Sequence, residues 1–362
     1  MKKIFLTITI LMVLLSSCER IDYNDINQNP YSPTEDNIDA MLLGGMLSYS
    51  QLGYRAGYSV ASLYAQYQAQ FAYSNEQLYN QFPGEWRTNY VDILSNLKVV
   101  ANTTEDLRGS TVNMNAIAEL MSVLVWKRVT DTFGDVPYFE ALQGGNNITP
   151  AYTTQRDIYI DLISRVKDAR DMIDSTQFVP NANTDIFYAG DMAKWGKFAN
   201  SLLLSLTIQL SNTDLAPMAQ TEFNNALNNI YGVMESNDDN MVFTPDLGGG
   251  NQNPISTQRS ADYNLSKELT DSLTGVNGSW GPEYGDCKNV TSTAGNDPDS
   301  RLYRYCNPDN TTVGIPYGFA SYSGGGADMN NTLDSEGSDY TLFNAAYTWL
   351  NRAEGALIYA SG

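Results

Sequence analysis

Carboxylates are the side chains of this sequence with the widest chemical potential, because its 362 residues include 41 Asp and Glu but no histidine. Without imidazole the chain cannot form a Ser-His-Asp or Cys-His nucleophile, a His-ligated zinc or haem site, or an imidazole acid–base catalyst. Two pairs of acids, Asp238 with Asp239 and Asp297 with Asp299, could be metal ligands or an acid–base pair. Neither pair has the spacing of a calcium-binding loop, so we interpret both as solvated loop residues and predict no metal site and no cofactor.

The balance of charges excludes another class of partner. Lys and Arg number 21 against 41 acids, a formal net charge of −20, whereas nucleic acid is bound by basic patches that release counterions. We therefore expect no nucleic-acid partner, which leaves carboxylate chemistry, oxygen-ligated metals or binding without chemistry. The chain also contains 24 Tyr against 12 Phe. A tyrosine joins an apolar ring to a hydroxyl, so it suits a wet binding surface as well as the edge of a core.

The N-terminal residues predict export and attachment to a membrane surface. Lys2 and Lys3 precede an apolar run over residues 4–15, the pattern of a signal peptide and shorter than the roughly 20 residues of a spanning helix. The ending Leu15-Ser16-Ser17-Cys18 resembles a bacterial lipobox, in which cleavage leaves an acylated Cys18 as the new N-terminus. The alternative is an ordinary signal peptide with an incidental cysteine. We predict a signal peptide over 1–17 and a lipid anchor with a polar tether over 18–29.

Two further cysteines, Cys287 and Cys306, follow in the exported part of the chain. A disulfide between them would close a loop of about 20 residues and contribute roughly 3 kcal/mol in the loop-entropy model. The alternative is a pair of free, buried thiols.

Most of the chain shows the hydrophobic periodicity of helices. Apolar residues recur at intervals of three or four after Thr154, which stands three residues before Asp157 as a capping arrangement. A wider apolar face runs from Trp195 to Leu210 and predicts a central helix. Extended structure is expected only in short pieces such as 241–243, and the segment 244–338 is rich in Gly, Asn, Ser and Asp, which favours long loops. The other predicted helices cover 38–52, 58–71, 86–103, 116–130, 223–234, 263–273 and 342–359.

A series of short motifs follows in order along nearly the whole chain. The most specific are the run Phe133-Gly134-Asp135-Val136-Pro137-Tyr138 and the run Trp195-Gly196-Lys197-Phe198-Ala199-Asn200. Together with the lipobox, the series resembles the SusD/RagB family of outer-membrane nutrient-binding lipoproteins of Bacteroidetes. The supporting motifs are Asn29-Pro30-Tyr31, Trp86 with Tyr90 and Asn96, Asn237-Asp238-Asp239-Asn240, and Leu350-Asn351-Arg352-Ala353-Glu354.

Structural roles explain these motifs better than catalytic ones. Gly134 is suited to a positive φ after a helix, Asp135 to a bond with local backbone, and Pro137 to fixing the exit of the chain. Lys197 and Asn200 are expected to reach backbone or acids of a neighbouring helical hairpin.

The resemblance implies a mostly α fold of tetratricopeptide-like helical hairpins with long irregular loops, a SusD-like α superhelix over residues 30–362. The family also commonly continues past the helix that contains Arg352, so we expect this domain to be incomplete at its C-terminus. A further departure is that Asp297-Pro298-Asp299-Ser300-Arg301 only loosely matches the Asp-Pro-Arg element of family members.

The resemblance further implies a non-catalytic lipoprotein on the outer cell surface that captures oligosaccharides and passes them to a SusC-like, TonB-dependent transporter. Alternatives are a peptide-binding member of the same family, a carboxylate-based glycoside hydrolase, and a purely structural partner of the transporter. Sugars need flat aromatic rings beside amide, acid and Arg side chains. Trp86 could stack on a sugar, or it could instead anchor its helix in the core. Gly278, Gly281 and Pro282 predict that Trp280 lies on a loop. The ligand-binding candidates are Tyr73, Asn75, Tyr79, Trp86, Arg87, Tyr263, Trp280 and Tyr284.

Overall fold

Consecutive helices packed against one another form the frame of the protein. The computed structural model describes residues 37–52, 59–70, 72–79, 85–248, 250–256, 263–273, 301–306, 314–318 and 328–359, and the elements named below belong to the unit Ile38–Gly362. The mostly α fold predicted from the sequence is confirmed. The helices are α1 Ile38–Gln51, α2 Ser59–Tyr64, α3 Ser95–Asn102, α4 Val112–Phe133, α5 Gln155–Asp171, α6 Met192–Gln209, α7 Ala216–Leu227, α8 Lys267–Leu273, α9 Leu302–Tyr305, α10 Asn331–Asp334 and α11 Ala345–Tyr359.

Short strands tie distant parts of the chain together in pairs. The pairs are antiparallel, β1 with β7, β2 with β3, β4 with β5, and β6 with β8. Their bounds are β1 Gln68–Gln70, β2 Glu105–Asp106, β3 Gly109–Ser110, β4 Val136–Pro137, β5 Tyr152–Thr153, β6 Met241–Phe243, β7 Tyr263–Leu265 and β8 Tyr340–Phe343. The extended stretch expected at 241–243 is therefore confirmed.

The main core lies between α4, α5 and α6, each of which packs against the next. α4 and α6 bury residues around most of their circumference, including Trp126 and Trp195. A helix that is apolar nearly all round must be covered on all sides, so these two helices form the centre of the bundle. The central position predicted for the helix 195–210 is confirmed.

Local capping sets the ends of these helices. The Thr154 side chain accepts a hydrogen bond from the backbone N–H of Asp157 at 3.2 Å, so the predicted cap of α5 is confirmed. α4 ends at Gly134, whose φ of +75° is the positive value expected of a glycine there. Asp135 accepts a hydrogen bond from the backbone N–H of Gln155 at 2.8 Å, so it joins the turn after α4 to the start of α5 rather than to local backbone.

Lys197 and Asn200 reach the next hairpin, as expected. The Lys197 ammonium lies 2.7 Å from an Asp239 carboxylate oxygen, and the Asn200 amide donates to the carbonyl of Gly232 at 2.6 Å. Asp239 is 6% exposed, so interpreting it as a solvated loop residue was wrong. Its carboxylate is held by Lys197 and by the backbone N–H groups of Glu235 and Ser236.

Three predicted helices differ from the observed elements. The segment expected to be helical over 58–71 is helical only to Tyr64 and then extends as β1, and the segment 263–273 begins as β7 before α8. These two extended pieces pair with each other, so a contact distant in sequence overrides local periodicity. The helix expected over 223–234 lies instead at Ala216–Leu227.

Candidate functional site

Three chain segments that are far apart in sequence meet beside β1. Gln70 pairs with Tyr263 across the β1–β7 ladder, and Ile315 bridges to Ser266, with the N–H of Lys267 donating to the carbonyl of Ile315 at 2.8 Å. Backbone hydrogen bonds thus fix the positions of residues 66–70, 263–267 and 314–317 relative to one another. The side chains between them have a defined arrangement.

A buried glutamine shapes the turn that follows β1. The Gln77 side chain is fully buried, accepts from the backbone N–H of Gln70 at 3.2 Å and donates to its carbonyl at 3.0 Å. This two-way bond closes the chain on itself and holds the 3-10 turn Ser74–Gln77. Two predicted ligand residues, Tyr73 and Asn75, lie on this turn with exposed side chains.

Four tyrosines gather on this frame, and we name Tyr64, Tyr79, Tyr263 and Tyr317 the tyrosine cluster. The rings of Tyr64 and Tyr79 lie 5.0 Å apart between centroids, and the Tyr79 hydroxyl donates to the carbonyl of Tyr64 at 3.2 Å. Tyr79 has a φ of +55° yet is 60% exposed. A non-glycine residue in the left-handed region costs free energy and is more common at binding sites.

Carboxylates position the other two members. Glu76 accepts hydrogen bonds from the Tyr263 hydroxyl at 2.9 Å and from the Gln70 side-chain amide. Both oxygens of Glu268 lie 3.2 Å from the backbone N–H of Tyr317, whose hydroxyl donates to the carbonyl of Gln77. Burial, together with the neighbouring Tyr79, Tyr64 and Glu268, raises the pKa of Tyr317 to about 12. The hydroxyl therefore stays protonated at neutral pH and acts as a hydrogen-bond donor.

The cluster combines the groups that a polyhydroxylated ligand requires. Tyr79 offers an exposed aromatic face beside the half-buried rings of the other three tyrosines. The nearby carboxylate and hydroxyl oxygens keep lone pairs that can accept further hydrogen bonds. Within the residues that the structure describes, no group of three or more metal-ligating side chains comes together. The cluster thus places ring surface and hydrogen-bonding groups side by side.

The structure brings four of the eight candidates into one region and places two others, Trp86 and Arg87, on a different segment. Tyr73, Asn75, Tyr79 and Tyr263 lie on the segments around the cluster. Trp280 and Tyr284 lie outside the described residues. Two members, Tyr64 and Tyr317, were missed by the sequence reasoning, because Tyr64 lay inside an expected helix and Tyr317 carried no motif.

Trp86 and Arg87 lie at the start of a helical stretch that continues through Thr88–Leu94 into α3. The Trp86 ring stacks on Tyr90 at 4.7 Å and contacts the edge of Phe133 at 5.0 Å, and it remains 37% exposed. Tyr90 continues the contact to Trp126 at 5.2 Å. Arg87 forms an exposed ion pair with Asp92 at 3.0 Å. Trp86 therefore caps a row of aromatic rings that leads into the core.

The structure describes one of the two cysteines of the predicted disulfide. Cys306 is disulfide-bonded, and its predicted partner, Cys287, lies outside the described residues, as do Cys18 and the expected signal and tether segments. The pairing of Cys287 with Cys306 stays a prediction. Among the described helices, none is both long and apolar enough to cross a membrane.

A protein-family model described as "Starch-binding associating with outer membrane" matches residues 33–358 of this chain. The chain belongs to this SusD-like family. The resemblance drawn from the short motifs is thereby confirmed, and the family is one that associates with the outer membrane. A search of curated proteins found no match to the sequence.

Solved SusD-like structures share the fold. A chitin-binding protein superposes with a TM-score of 0.70 at 24% identity, covering 89% of this chain and 70% of its own. A chitin-binding SusD homolog from Flavobacterium johnsoniae gives 0.68 at 22%, with 89% and 66% covered. A SusD homolog from Bacteroides vulgatus gives 0.67 at 22%, with 90% and 68% covered. The chain thus spans about two thirds of the length of these SusD-like proteins.

Proposed function

We propose that this chain is a cell-surface lipoprotein that captures oligosaccharides on the tyrosine cluster and passes them to a SusC-like, TonB-dependent outer-membrane transporter. Acylated Cys18 would hold it at the outer membrane, and the chemistry of glycan cleavage would belong to other proteins. The single observation that carries the proposal is the cluster itself, where Tyr79 exposes its ring while its hydroxyl is bonded to the carbonyl of Tyr64.

The ring geometry supports a sugar as the ligand. Because the hydroxyls of Tyr79, Tyr263 and Tyr317 are bonded within the protein, their rings are fixed before a ligand arrives. A fixed ring loses little conformational entropy on binding, which favours affinity. The family description names starch and two of the similar structures are chitin-binding, which supports a glycan rather than the alternative of a peptide.

The positions of the carboxylates support binding rather than hydrolysis. A glycoside hydrolase needs one carboxylic acid and one carboxylate free to act on the substrate. In this cluster Glu76 accepts from Tyr263 and Gln70, and Glu268 accepts from the backbone of Tyr317. Both acids thus serve to position tyrosines.

The test is titration calorimetry of the full chain against a panel of starch-derived and chitin-derived oligosaccharides and random peptides, with an assay for new reducing ends. We expect saturable glycan binding, no cleavage, and at least tenfold weaker binding for Tyr79→Ala. Tyr152→Ala is the matched control, because Tyr152 is similarly exposed, at 69%, and lies on β5, outside the cluster. Product formation, or binding of peptides alone, would overturn the proposal.

The anchor and the transporter are tested separately. Cys18→Ser should move the protein from the membrane fraction to the soluble fraction in cells. Co-purification of the transporter from detergent-solubilised membranes with the wild-type protein would support the handover. A Cys18→Ser variant that stays in the membrane fraction would contradict the lipid anchor.

A further inference from the structure

A cleft that shares no lining residue with the tyrosine cluster lies at the end of α1, and we name it the Glu85 cleft. Its volume is about 370 Å³, within the range of pockets that hold small ligands. The end of α1 forms one wall, and Glu85 and Thr88, at the start of the helical stretch of Trp86, form the other. The lining residues are Leu47, Ser48, Gln51, Leu52, Glu85, Thr88 and Asn251.

The polar side chains of this cleft are unused. Among the described residues, the side chains of Ser48, Glu85, Thr88 and Asn251 take part in no hydrogen bond or ion pair. Gln51 differs, because its amide donates to the carbonyl of Gln252 at 3.1 Å and so holds the Asn251 segment against α1. The hydroxyl groups of the tyrosine cluster donate to other groups of the protein. In the Glu85 cleft, several side-chain donors and acceptors are instead available to a ligand.

The backbone around the cleft is also unusual. Glu85 has a φ of +48°, and the residues Thr88–Leu94 form a π-helix instead of an α-helix. Asn89 is 1% exposed, and its side-chain oxygen has no hydrogen-bond partner. Left-handed non-glycine residues and π-helical turns cost stability and are more common at functional sites. Both features meet at the wall that carries Glu85 and Thr88.

The lining disfavours an anion and suits a ligand with many hydroxyl groups. Ser48, Thr88 and Asn251 are neutral, and Glu85 supplies a carboxylate that accepts hydrogen bonds from hydroxyls and repels an anion. Leu47 and Leu52 add an apolar wall that suits the C–H face of a sugar ring. We propose that the Glu85 cleft is a second binding site for a neutral sugar residue of an oligosaccharide, distinct from the tyrosine cluster. The choice of ligand class rests on the proposed function, whereas the site itself rests on its own geometry.

The experiment is titration calorimetry of the full chain with chitotetraose, maltotetraose and cellotetraose. Two variants remove hydrogen bonds at the cleft from different elements, Thr88→Val on the π-helix and Asn251→Leu on the facing segment. We expect the wild type to bind two equivalents of at least one tetrasaccharide. Each variant should weaken one of the two sites by about tenfold, the effect of losing one hydrogen bond. Thr149→Val is the matched control, because Thr149 is an exposed residue outside the cleft, and circular dichroism reports folding.

The outcomes separate the two proposals. If Tyr79→Ala abolishes binding and neither cleft variant changes stoichiometry or affinity, the cleft proposal is wrong and the proposed function stands. If the cleft variants weaken binding and Tyr79→Ala does not, the cleft stands and the tyrosine cluster is not the capture surface. Crystals soaked in the bound tetrasaccharide give an independent reading, since a cleft without sugar density at saturating ligand overturns the second site. A wild type that binds none of the three probes overturns both.

Discussion

Aromatic residues have different roles in two regions of this molecule. One is the scaffold, formed by α4, α5 and α6 with the loops that pack on them, and the other is the tyrosine cluster. In the scaffold region Tyr188, Trp195 and Phe198 are buried and contact one another edge to face at 5.1 and 5.6 Å. In the cluster the rings of Tyr64 and Tyr79 meet at one side, and Tyr79 stays 60% exposed. The scaffold uses both faces of a ring for packing, whereas the cluster keeps ring surface available.

The two regions also differ in what holds them. Scaffold helices bury apolar residues in one large core, whereas the cluster stands beside a small apolar group of Leu265, Leu273, Leu302 and Cys306. Hydrogen bonds from buried side chains such as Gln77 compensate for this small core. Stability in the scaffold therefore comes mainly from packing, and the geometry of the cluster comes mainly from hydrogen bonds.

The largest expected effect is in the scaffold. Asp185 is 1% exposed and accepts hydrogen bonds from the indole of Trp195 at 2.8 Å and from three backbone N–H groups, those of Phe187, Tyr188 and Gly190. Asp185→Ala leaves these buried donors without partners, so we expect a loss of about 3–5 kcal/mol in the free energy of unfolding, measured by urea denaturation. The control is Asp191→Ala, which removes only the cap of α6 and should cost about 1 kcal/mol. Equal losses would contradict a special role for Asp185.

A smaller effect is expected in the cluster. Gln77→Met keeps the side-chain volume and leaves the backbone N–H and carbonyl of Gln70 without their partner. We expect a local loss of about 2 kcal/mol, seen as faster amide exchange over 72–79 and weaker glycan binding, with unchanged protection in α4 and α6. Faster exchange in the scaffold helices as well would show that the two regions unfold as one unit.

The link between Lys197 and Asp239 predicts a pH dependence in the scaffold. Burial acts to raise the pKa of Asp239, but the N–H groups of Glu235 and Ser236 and the Lys197 ammonium lower it, and the net pKa lies below the usual 3.8. Because the folded pKa is depressed, this carboxylate stabilises the protein above about pH 4, and that contribution is lost as the pH falls through the folded pKa.

Asp239→Asn should therefore lower the free energy of unfolding by about 1 kcal/mol at pH 7, with a difference from wild type that shrinks below pH 4. Denaturation curves between pH 3 and pH 7 measure it. A difference that stays constant across this range would mean that the charge of Asp239 contributes nothing.

The sequence predicts the scaffold well and the cluster only in part, for a physical reason. The apolar period after Thr154 and the wide face from Trp195 are local signals, and both helices appear as expected. The cluster depends on pairing between β1 and β7, which joins Gln70 to Tyr263. No local period encodes such a contact, so Tyr73, Asn75, Tyr79 and Tyr263 could be named only through resemblance, and Tyr317 not at all. The unused groups of the Glu85 cleft likewise emerge only when α1 and the π-helix are placed side by side.

The smallest expected effect decides where the ligand surface ends. Arg87 was a ligand candidate from the sequence, but its side chain is 73% exposed and pairs with Asp92, itself 36% exposed. Such surface pairs contribute about 0–1 kcal/mol, so Arg87→Ala should leave the free energy of unfolding within about 0.5 kcal/mol of wild type. If the ligand surface is confined to the tyrosine cluster and the Glu85 cleft, glycan affinity should also stay within about twofold. A tenfold loss of affinity without a loss of stability would extend the surface along the helix of Trp86, because Arg87 would then act on the ligand directly and not through the fold.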